Sequence, residues 1–240
     1  MKPLQTSIIL PTYNEAENII ELLSILEREL QSDYEIIVVD DNSPDLTWKK
    51  VQEYIQSGHP NVRLINRVNE RGLLSALNCG IANSSGKIIC WMDCDLSHPP
   101  AIIKQLISPL LHDHTLSAII ASRFVKGGND ARYGKYGFQR LLSYILYLLS
   151  YLLPCGKIKD ITSGYLAIRK SALTDIGPLC GDYGEYFIDM LCRLHQRKHL
   201  LQEIPYTFIN RQRGQSKTAT SPFGLITRGL KYLNVVYQNL

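Results

Sequence analysis

Along the first half of the chain, short apolar runs alternate with longer stretches in which apolar residues recur at intervals of three and four. A consecutive apolar run reads as a strand buried on both faces, and the three-four spacing reads as a helix with one buried face. Thr6 to Leu10 is such a strand, ending in Pro11-Thr12-Tyr13-Asn14-Glu15, and Ile19, Leu22, Leu23, Leu26 and Leu30 mark the helix that follows. The pattern repeats with Tyr34 to Val39, closed by Asp40-Asp41-Asn42-Ser43-Pro44, and a helix over 44–57 that stops at Gly58-His59-Pro60. Val62 to Asn66 predicts a third strand, Gly72 to Asn83 a third helix, and Lys87 to Met92 a fourth strand. Ile102, Ile103, Leu106, Ile107 and Leu110 form another amphipathic stripe before a strand over Ser117 to Ser122.

This alternation predicts an α/β protein with a mostly parallel sheet covered by helices on both faces. Right-handed crossovers bring the ends of the strands to one edge, so Tyr13-Asn14-Glu15, Asp40-Asp41 and Asp93/Asp95 are expected to meet there in an acidic, nucleotide-sized cleft. Asp93-Cys94-Asp95 closes the fourth strand and runs into Leu96-Ser97-His98-Pro99-Pro100. Paired carboxylates at a strand tip need a counter-charge. One reading is a turn in which an Asp caps the next helix. The other is a hard divalent cation, Mg²⁺ or Mn²⁺, which takes one or two carboxylates together with a ligand's phosphates. His98 reads as structural, because two prolines follow it.

With 240 residues, 45% of them hydrophobic, the chain can bury one large core, read here as one domain over 1–240. Six cysteines (79, 90, 94, 155, 180, 192) lack metal-ligand spacing and are expected to be reduced, mostly buried thiols. Glu15, Glu17, Glu21 and Glu27 interrupt any leader-like apolar run, and no stretch approaches the roughly 20 residues of a membrane span. Charge divides the chain: residues 1–95 hold 8 Lys/Arg against 14 Asp/Glu, and residues 96–240 hold 18 against 8. A basic second half favours an anionic partner or is a solvated face; no helix-turn-helix, RNP or zinc pattern supports nucleic acid as that partner. Residues 141–153 are uncharged and rich in Leu and Tyr, too short to span a bilayer but suited to its interface. Phe223, Leu225, Ile226, Leu230, Leu233 and Val236 interleave with Arg228 and Lys231 in a similar way. Either stretch is a membrane-surface helix or an ordinary core helix.

Three further segments complete a set: Ala121-Ser122-Arg123-Phe124-Val125-Lys126-Gly127-Gly128, Asp160-Ile161-Thr162-Ser163-Gly164-Tyr165, and Arg211-Gln212-Arg213-Gly214-Gln215-Ser216-Lys217. With the strand ends quoted above, they run in order from about residue 5 to 235 and resemble family 2 glycosyltransferases, and more narrowly the dolichol-phosphate mannose synthase group. The resemblance implies a GT-A-like fold with a nucleotide-sugar-binding half (1–125) and an acceptor and membrane-surface half (126–240). It implies that Pro11, Tyr13, Glu15, Val39 and Asp41 bind the base and ribose of a GDP-mannose or UDP-sugar donor. Asp93 and Cys94 then lie along the donor, and Asp95, with Ser97 in place of the Gln of some members, binds Mg²⁺ or Mn²⁺. Arg211 and Lys217 join the donor-binding set, whereas Arg123, Arg140, Ser143 and Arg213 hold the phosphate of a polyprenyl phosphate lipid; Asp93, Asp95, Arg123 and Arg213 are the catalytic set. Gln139 and Gln215 depart from the group's basic and acidic residues, which bears on the acceptor more than on the reaction.

The reaction so implied is inverting, metal-dependent transfer of a hexose, with mannose from GDP-mannose leading, to a polyprenyl or dolichyl phosphate. The chain is then expected in the cytoplasm, peripheral on the cytosolic membrane face or docked on a separate membrane-spanning subunit, with no nucleic acid among its partners. Two other readings stay open: transfer to a sugar hydroxyl in surface polysaccharide synthesis, and non-catalytic nucleotide-sugar binding.

Overall fold

The alternation of the first half folds as its spacing predicts in a computed structural model of the protein. The residues described are 5–30, 32–133, 137–151, 158–181, 183–214, and 231, 232, 234, 235, 237 and 238. Strand β1 (Thr6–Thr12) leads to α1 (Ile19–Glu29), β2 (Tyr34–Asp40) to α2 (Thr47–Gln56), and β3 (Val62–Asn66) to α3 (Leu73–Ala82). Then come β4 (Ile88–Trp91), a 3₁₀ turn (Pro100–Ile102), α4 (Ile103–His112) and β5 (Leu116–Ser122). The second half adds β6 (Asn129–Asp130), α5 (Gly137–Ser150), β7 (Leu166–Arg169), α6 (Lys170–Ile176), α7 (Tyr186–Gln196), β8 (Leu200–Pro205) and β9 (Thr207–Phe208).

Seven strands form one sheet in the order β3-β2-β1-β4-β7-β5-β8, and β6 pairs with β9 separately. The sheet is mostly parallel; β7 alone runs antiparallel, against both β4 and β5. Helix α2 starts three residues later than the spacing predicts, because Leu46 is left-handed (φ 62°) and Asp45 folds back to accept bonds from the Thr47 amide (3.0 Å) and hydroxyl (2.6 Å).

Successive strand residues face opposite sides. Ile8, Leu10, Ile36 and Val38 pack under α1 and α4, and Ile9, Ile37, Val39 and Trp91 pack under α3 and α7. Each such side chain stabilises the fold by about 1.5–3 kcal/mol when fully buried. Helix α3 lies close on the sheet because residue 80 is glycine: a Cβ there would stand 2.3 Å from Ile9 Cγ2. Cys79, Cys90, Cys94 and Cys180 are free thiols, as expected, but Cys192 is disulfide-bonded, and Cys155 lies outside the described residues. Spacing could not anticipate that bond, because it carries no information on which sulfurs meet in space.

At the edge of the sheet remote from the acidic loops, Glu35 accepts bonds from the Ser7 hydroxyl (2.7 Å), the Ser85 amide (2.6 Å) and Arg63 Nη1 (2.6 Å). Burial alone would raise its pKa, but these bonds outweigh burial and hold it below the ordinary value. A carboxyl lowered on folding stabilises fully above its unfolded pKa of about 4.3 and loses that contribution as pH falls through the lower folded value. Glu35→Gln is therefore expected to be less stable than the parent at pH 7 in urea unfolding, and the gap to narrow as pH falls below about 4.

Candidate functional site

The loops leaving β2, β1 and β4 lie side by side, since these strands are neighbours. Adjacent strands are about 4.8 Å apart, so an edge cleft runs from the β2 loop past β1 to the β4 loop. It encloses about 370 Å³ and is lined by Pro11, Tyr13, Glu15, Asp41, Asp93, Cys94, Asp95 and Arg211, among others. The sequence places the first seven of these at one edge; the fold brings Arg211 to them from the far end of the chain.

Asp40 is buried and braces the two loops. It accepts bonds from Thr12 Oγ1 (2.8 Å), Ser43 Oγ (2.7 Å) and the Ser43 amide (2.8 Å). Its neighbour Asp41 thus faces the cleft. Asp41 Oδ1 accepts from Arg67 Nε (2.8 Å) and Nη2, and Oδ2 from the Gly72 amide (2.8 Å). Gly72, at φ +136°, adopts a backbone conformation that side chains disfavour, and this aims its N–H at Asp41. Val39 does not line the cleft; its side chain is fully buried in the core below, because strand alternation turns it away from Asp40.

At the β4 end, Leu96 is left-handed (φ 63°), a strained conformation for a branched side chain. The turn lets Ser97 donate both its amide (3.0 Å) and its hydroxyl (2.5 Å) to Asp95 Oδ1. Ser97 is buried and orients the carboxylate. Asp95 Oδ2 accepts from Arg211 Nε (3.0 Å), and Arg211 Nη2 donates to Glu15 Oε1 (3.1 Å). Burial alone would raise the pKa of Asp95, but Arg211 and Ser97 outweigh it and hold the group below the ordinary carboxylate value. Cys94 Sγ donates to the Pro11 carbonyl at 3.4 Å, tying this turn to β1.

His98 is structural, in keeping with its sequence context. It is buried, stacks on Tyr165 (5.0 Å between centroids), and its Nδ1 accepts the Asp93 amide (3.1 Å). Burial pushes its pKa down to about 4 against the opposing pull of Asp95, so the ring is neutral at pH 7.

Beyond His98 lies a second charged cluster, joined to it through Phe208, whose ring meets that of His98 edge-on at 5.2 Å and stands 5.6 Å from the Arg123 guanidinium. Arg123 is buried. Its Nε (2.8 Å) and Nη2 (2.6 Å) bind the two oxygens of Asp160, and Nη2 also donates to Thr162 Oγ1 (2.8 Å). Arg132 Nη2 donates to Ser143 Oγ (2.8 Å), and the side chain also pairs with Asp130. Ser143 therefore joins Arg123 and Arg132 at the base of α5, whereas Arg140 is exposed on the same helix. Arg213 stands apart from both clusters, on α1, donating to Glu21 (2.9 Å) and the Glu17 carbonyl (3.2 Å). Leu152, Leu153, Gln215, Lys217, the stretch from Phe223 to Leu230, Leu233 and Val236 lie outside the described residues.

Sequence reasoning did not anticipate Arg71 and Tyr183 in the cleft, or Arg132 and Asp130 beside Arg123. Arg71 had a usable signal: it sits in the third strand-helix connection, on the same edge as the acidic loops. Asp160 lies in a quoted motif, but only its contact with Arg123 reveals its role.

The donor chemistry of the β4 loop fits a hard divalent cation. Asp93 and Asp95 offer oxygen ligands, and the lowered pKa keeps Asp95 ionised at neutral pH. Among the described residues no three His, Cys, Asp or Glu side chains are grouped to hold an ion alone. One or two carboxylates suffice where a phosphorylated ligand supplies further oxygens.

A sequence profile described as Glycosyl transferase family 2 matches residues 7–177. A dolichol-phosphate mannosyltransferase of Pyrococcus furiosus is 38% identical over 219 residues, covering 89% of this chain but 59% of that protein. One from Saccharomyces cerevisiae is 31% identical over 224 residues, covering 89% of this chain and 81% of that one. Among solved structures, glucosyl-3-phosphoglycerate synthase of Mycobacterium tuberculosis with Mn²⁺, UDP and phosphoglyceric acid superposes with a TM-score of 0.73 at 19% identity, covering 98% of this chain and 78% of that one. The same enzyme with Mg²⁺ and UDP gives 0.69 at 19%, covering 98% and 79%. At that identity the likeness establishes the GT-A-like fold.

Asp160 is the counter-charge on which buried Arg123 depends. Asp160→Asn leaves that guanidinium under-compensated and is expected to cost about 3–5 kcal/mol of unfolding free energy, measured by urea denaturation at pH 7.

Proposed function

The chain belongs to glycosyl transferase family 2, and from that premise we propose that it transfers a hexose, mannose from GDP-mannose, to a polyprenyl or dolichyl phosphate with inversion at the anomeric carbon. The observation that carries this reading is the pairing of the Arg123–Arg132–Ser143 cluster with the apolar face of α5. Leu141, Tyr144, Ile145 and Leu148 recur at helical spacing along it and are exposed, as is Tyr151 just beyond its end. Arginines beside an exposed apolar surface suit an amphipathic acceptor, a phosphate on a lipid chain, for which they would exchange their present carboxylate partners. The names of the archaeal and yeast relatives point to the same acceptor class.

The chemistry follows from the side chains. A phosphate monoester has a second pKa of about 6 and is already a nucleophile at neutral pH, so the reaction needs no general base; neutral, stacked His98 is not required as one. One acceptor phosphate oxygen attacks the anomeric carbon as the bond to the nucleoside diphosphate breaks, and a single displacement inverts that centre. Negative charge grows on the leaving diphosphate at the β4 end of the cleft. Arg211 stands there to meet it, exchanging its bonds to Asp95 and Glu15 for bonds to phosphate oxygens. A Mg²⁺ or Mn²⁺ held by Asp95, with Asp93 beside it, would neutralise further charge on that diphosphate. The carboxylate pair supports this use of a metal, as do the Mn²⁺ and Mg²⁺ bound with UDP in the mycobacterial enzyme. Arg123, Arg132, Arg140 and Ser143 hold the acceptor phosphate.

No helix among the described residues is long and apolar enough to cross a membrane. In this reading the chain meets the lipid at the cytosolic surface through α5, with Tyr144 and Tyr151 at the headgroup level.

The test is transfer of radiolabelled mannose from GDP-mannose to a detergent-dispersed polyprenyl phosphate with Mg²⁺ or Mn²⁺, with UDP-glucose and UDP-N-acetylglucosamine in parallel. Lipid-extractable product that depends on the metal and falls at least about 100-fold in Asp95→Ala is expected; transfer that needs no lipid phosphate would sink the assignment. Leu148→Asp is expected to weaken co-sedimentation with anionic vesicles by about tenfold, roughly the 1.4 kcal/mol of one half-buried leucine. Nucleotide binding should be unchanged in that variant.

A further inference from the structure

We propose that Arg71 selects guanine over other bases by donating to its O6 and N7 atoms, an assignment that rests on the proposed use of a nucleoside diphosphate sugar and names its base.

The cleft's polarity places the base at the β2 end. Asp95 and Arg211, the groups suited to a metal and a diphosphate, stand at the β4 end, and Asp41, Tyr13 and Arg71 stand at the other. Asp41 alone discriminates poorly there. A carboxylate oxygen accepts about two hydrogen bonds. Oδ1 already takes two from Arg67, and Oδ2 takes one from the Gly72 amide. One acceptor position remains. It satisfies guanine N1–H or uracil N3–H equally well, so a choice between them requires a second group.

Arg71 has the position and the chemistry. It is exposed on the connection between β3 and α3, lines the cleft, and holds its guanidinium 5.0 Å above the Tyr13 ring centroid. The adjacent carboxylate, Glu70, is engaged elsewhere, by Arg67 Nη1 at 3.1 Å. This cation–π contact with Tyr13 keeps the guanidinium at the cleft wall, and a guanidinium's N–H groups lie in its own plane, directed away from its faces. Guanine presents two acceptors side by side, O6 and N7, which match an arginine fork bidentately. Uracil offers O4 alone on that side, and adenine sets a donor amino group beside N7, where a guanidinium has only donors to offer. O6 adjoins N1, so one guanine meets Asp41 and Arg71 together.

Calorimetry with GDP, 7-deaza-GDP and UDP in Mg²⁺ tests this on the parent chain, Arg71→Met and Arg71→Lys. Replacing N7 by carbon removes one acceptor and leaves the rest of the base unchanged. The parent is expected to bind GDP more tightly than 7-deaza-GDP or UDP. Arg71→Met should lose about 5- to 100-fold in GDP affinity, the range of one bidentate contact, and should bind GDP and 7-deaza-GDP alike. Arg71→Lys keeps a charged donor without the rigid fork and should retain only part of the difference between those two ligands. If both variants retain the parent's N7 preference, Arg71 is not the reader, and the donor reading stands without it. If none of the three nucleotides binds the parent chain, the donor reading and this assignment fall together.

Discussion

Arg211 bridges Glu15 and Asp95, and the candidate site depends on that bridge. Parallel strands end at a common edge, and in this chain they end in carboxylates from three separate loops. Gathering anions in a half-buried cleft is costly unless cations accompany them. The cation comes from after β9, 116 residues beyond Asp95 and 196 beyond Glu15. It ties the segment after β9 to the loop that follows the first strand and sets the Asp95 carboxylate in place. In the proposed reaction the same guanidinium would exchange carboxylate oxygens for phosphate oxygens.

Charge pairing elsewhere follows the same logic at greater depth. Arg123 is buried against Asp160, with Thr162, Phe124 and Phe208 filling its remaining directions. Burial disfavours the charged form, and Asp160 more than offsets it, so the group stays ionised. Rigid pairing of this kind orients a guanidinium, and it also limits how much of it remains for a ligand. Arg132 is held in the same way by Asp130 and Ser143, whereas Arg140 is exposed on α5. Between the two charged zones lies the packed wall of His98, Tyr165, Tyr206 and Phe208. It is aromatic, and its histidine is neutral at physiological pH.

The strand-helix alternation of residues 6–122, and the edge at which its loops meet, were legible in the sequence because both rest on local periodicity and on the fixed hand of the crossover. Tyr13, Glu15, Asp41, Asp93 and Asp95 could be placed together on that basis alone. The insertion of β7 between β4 and β5 in the opposite direction could not, since three apolar residues and an arginine say nothing about which partner they join. Nor could the inward turn of Val39, which strand alternation settles only once the cleft's position is known, or the bond at Cys192. The amphipathic reading of residues 141–153 was likewise local, and α5 keeps its apolar face exposed.

Pairings across the chain had to await tertiary structure. Arg211 and Arg213 are two residues apart, yet one enters the cleft and the other lies on α1. Arg123 reaches Asp160 and Ser143 through contacts that span loops and a helix. Ser97 turns toward Asp95 through a left-handed leucine that no spacing rule anticipates. Periodicity reports which face of an element is apolar, because a helix or strand repeats its geometry along its own axis. It carries no record of which distant side chain closes a charge. By itself, then, the sequence determined the layers, the acidic edge and the family resemblance. The tertiary structure alone decided which cation stands against which anion, because that choice depends on through-space distance and shared burial.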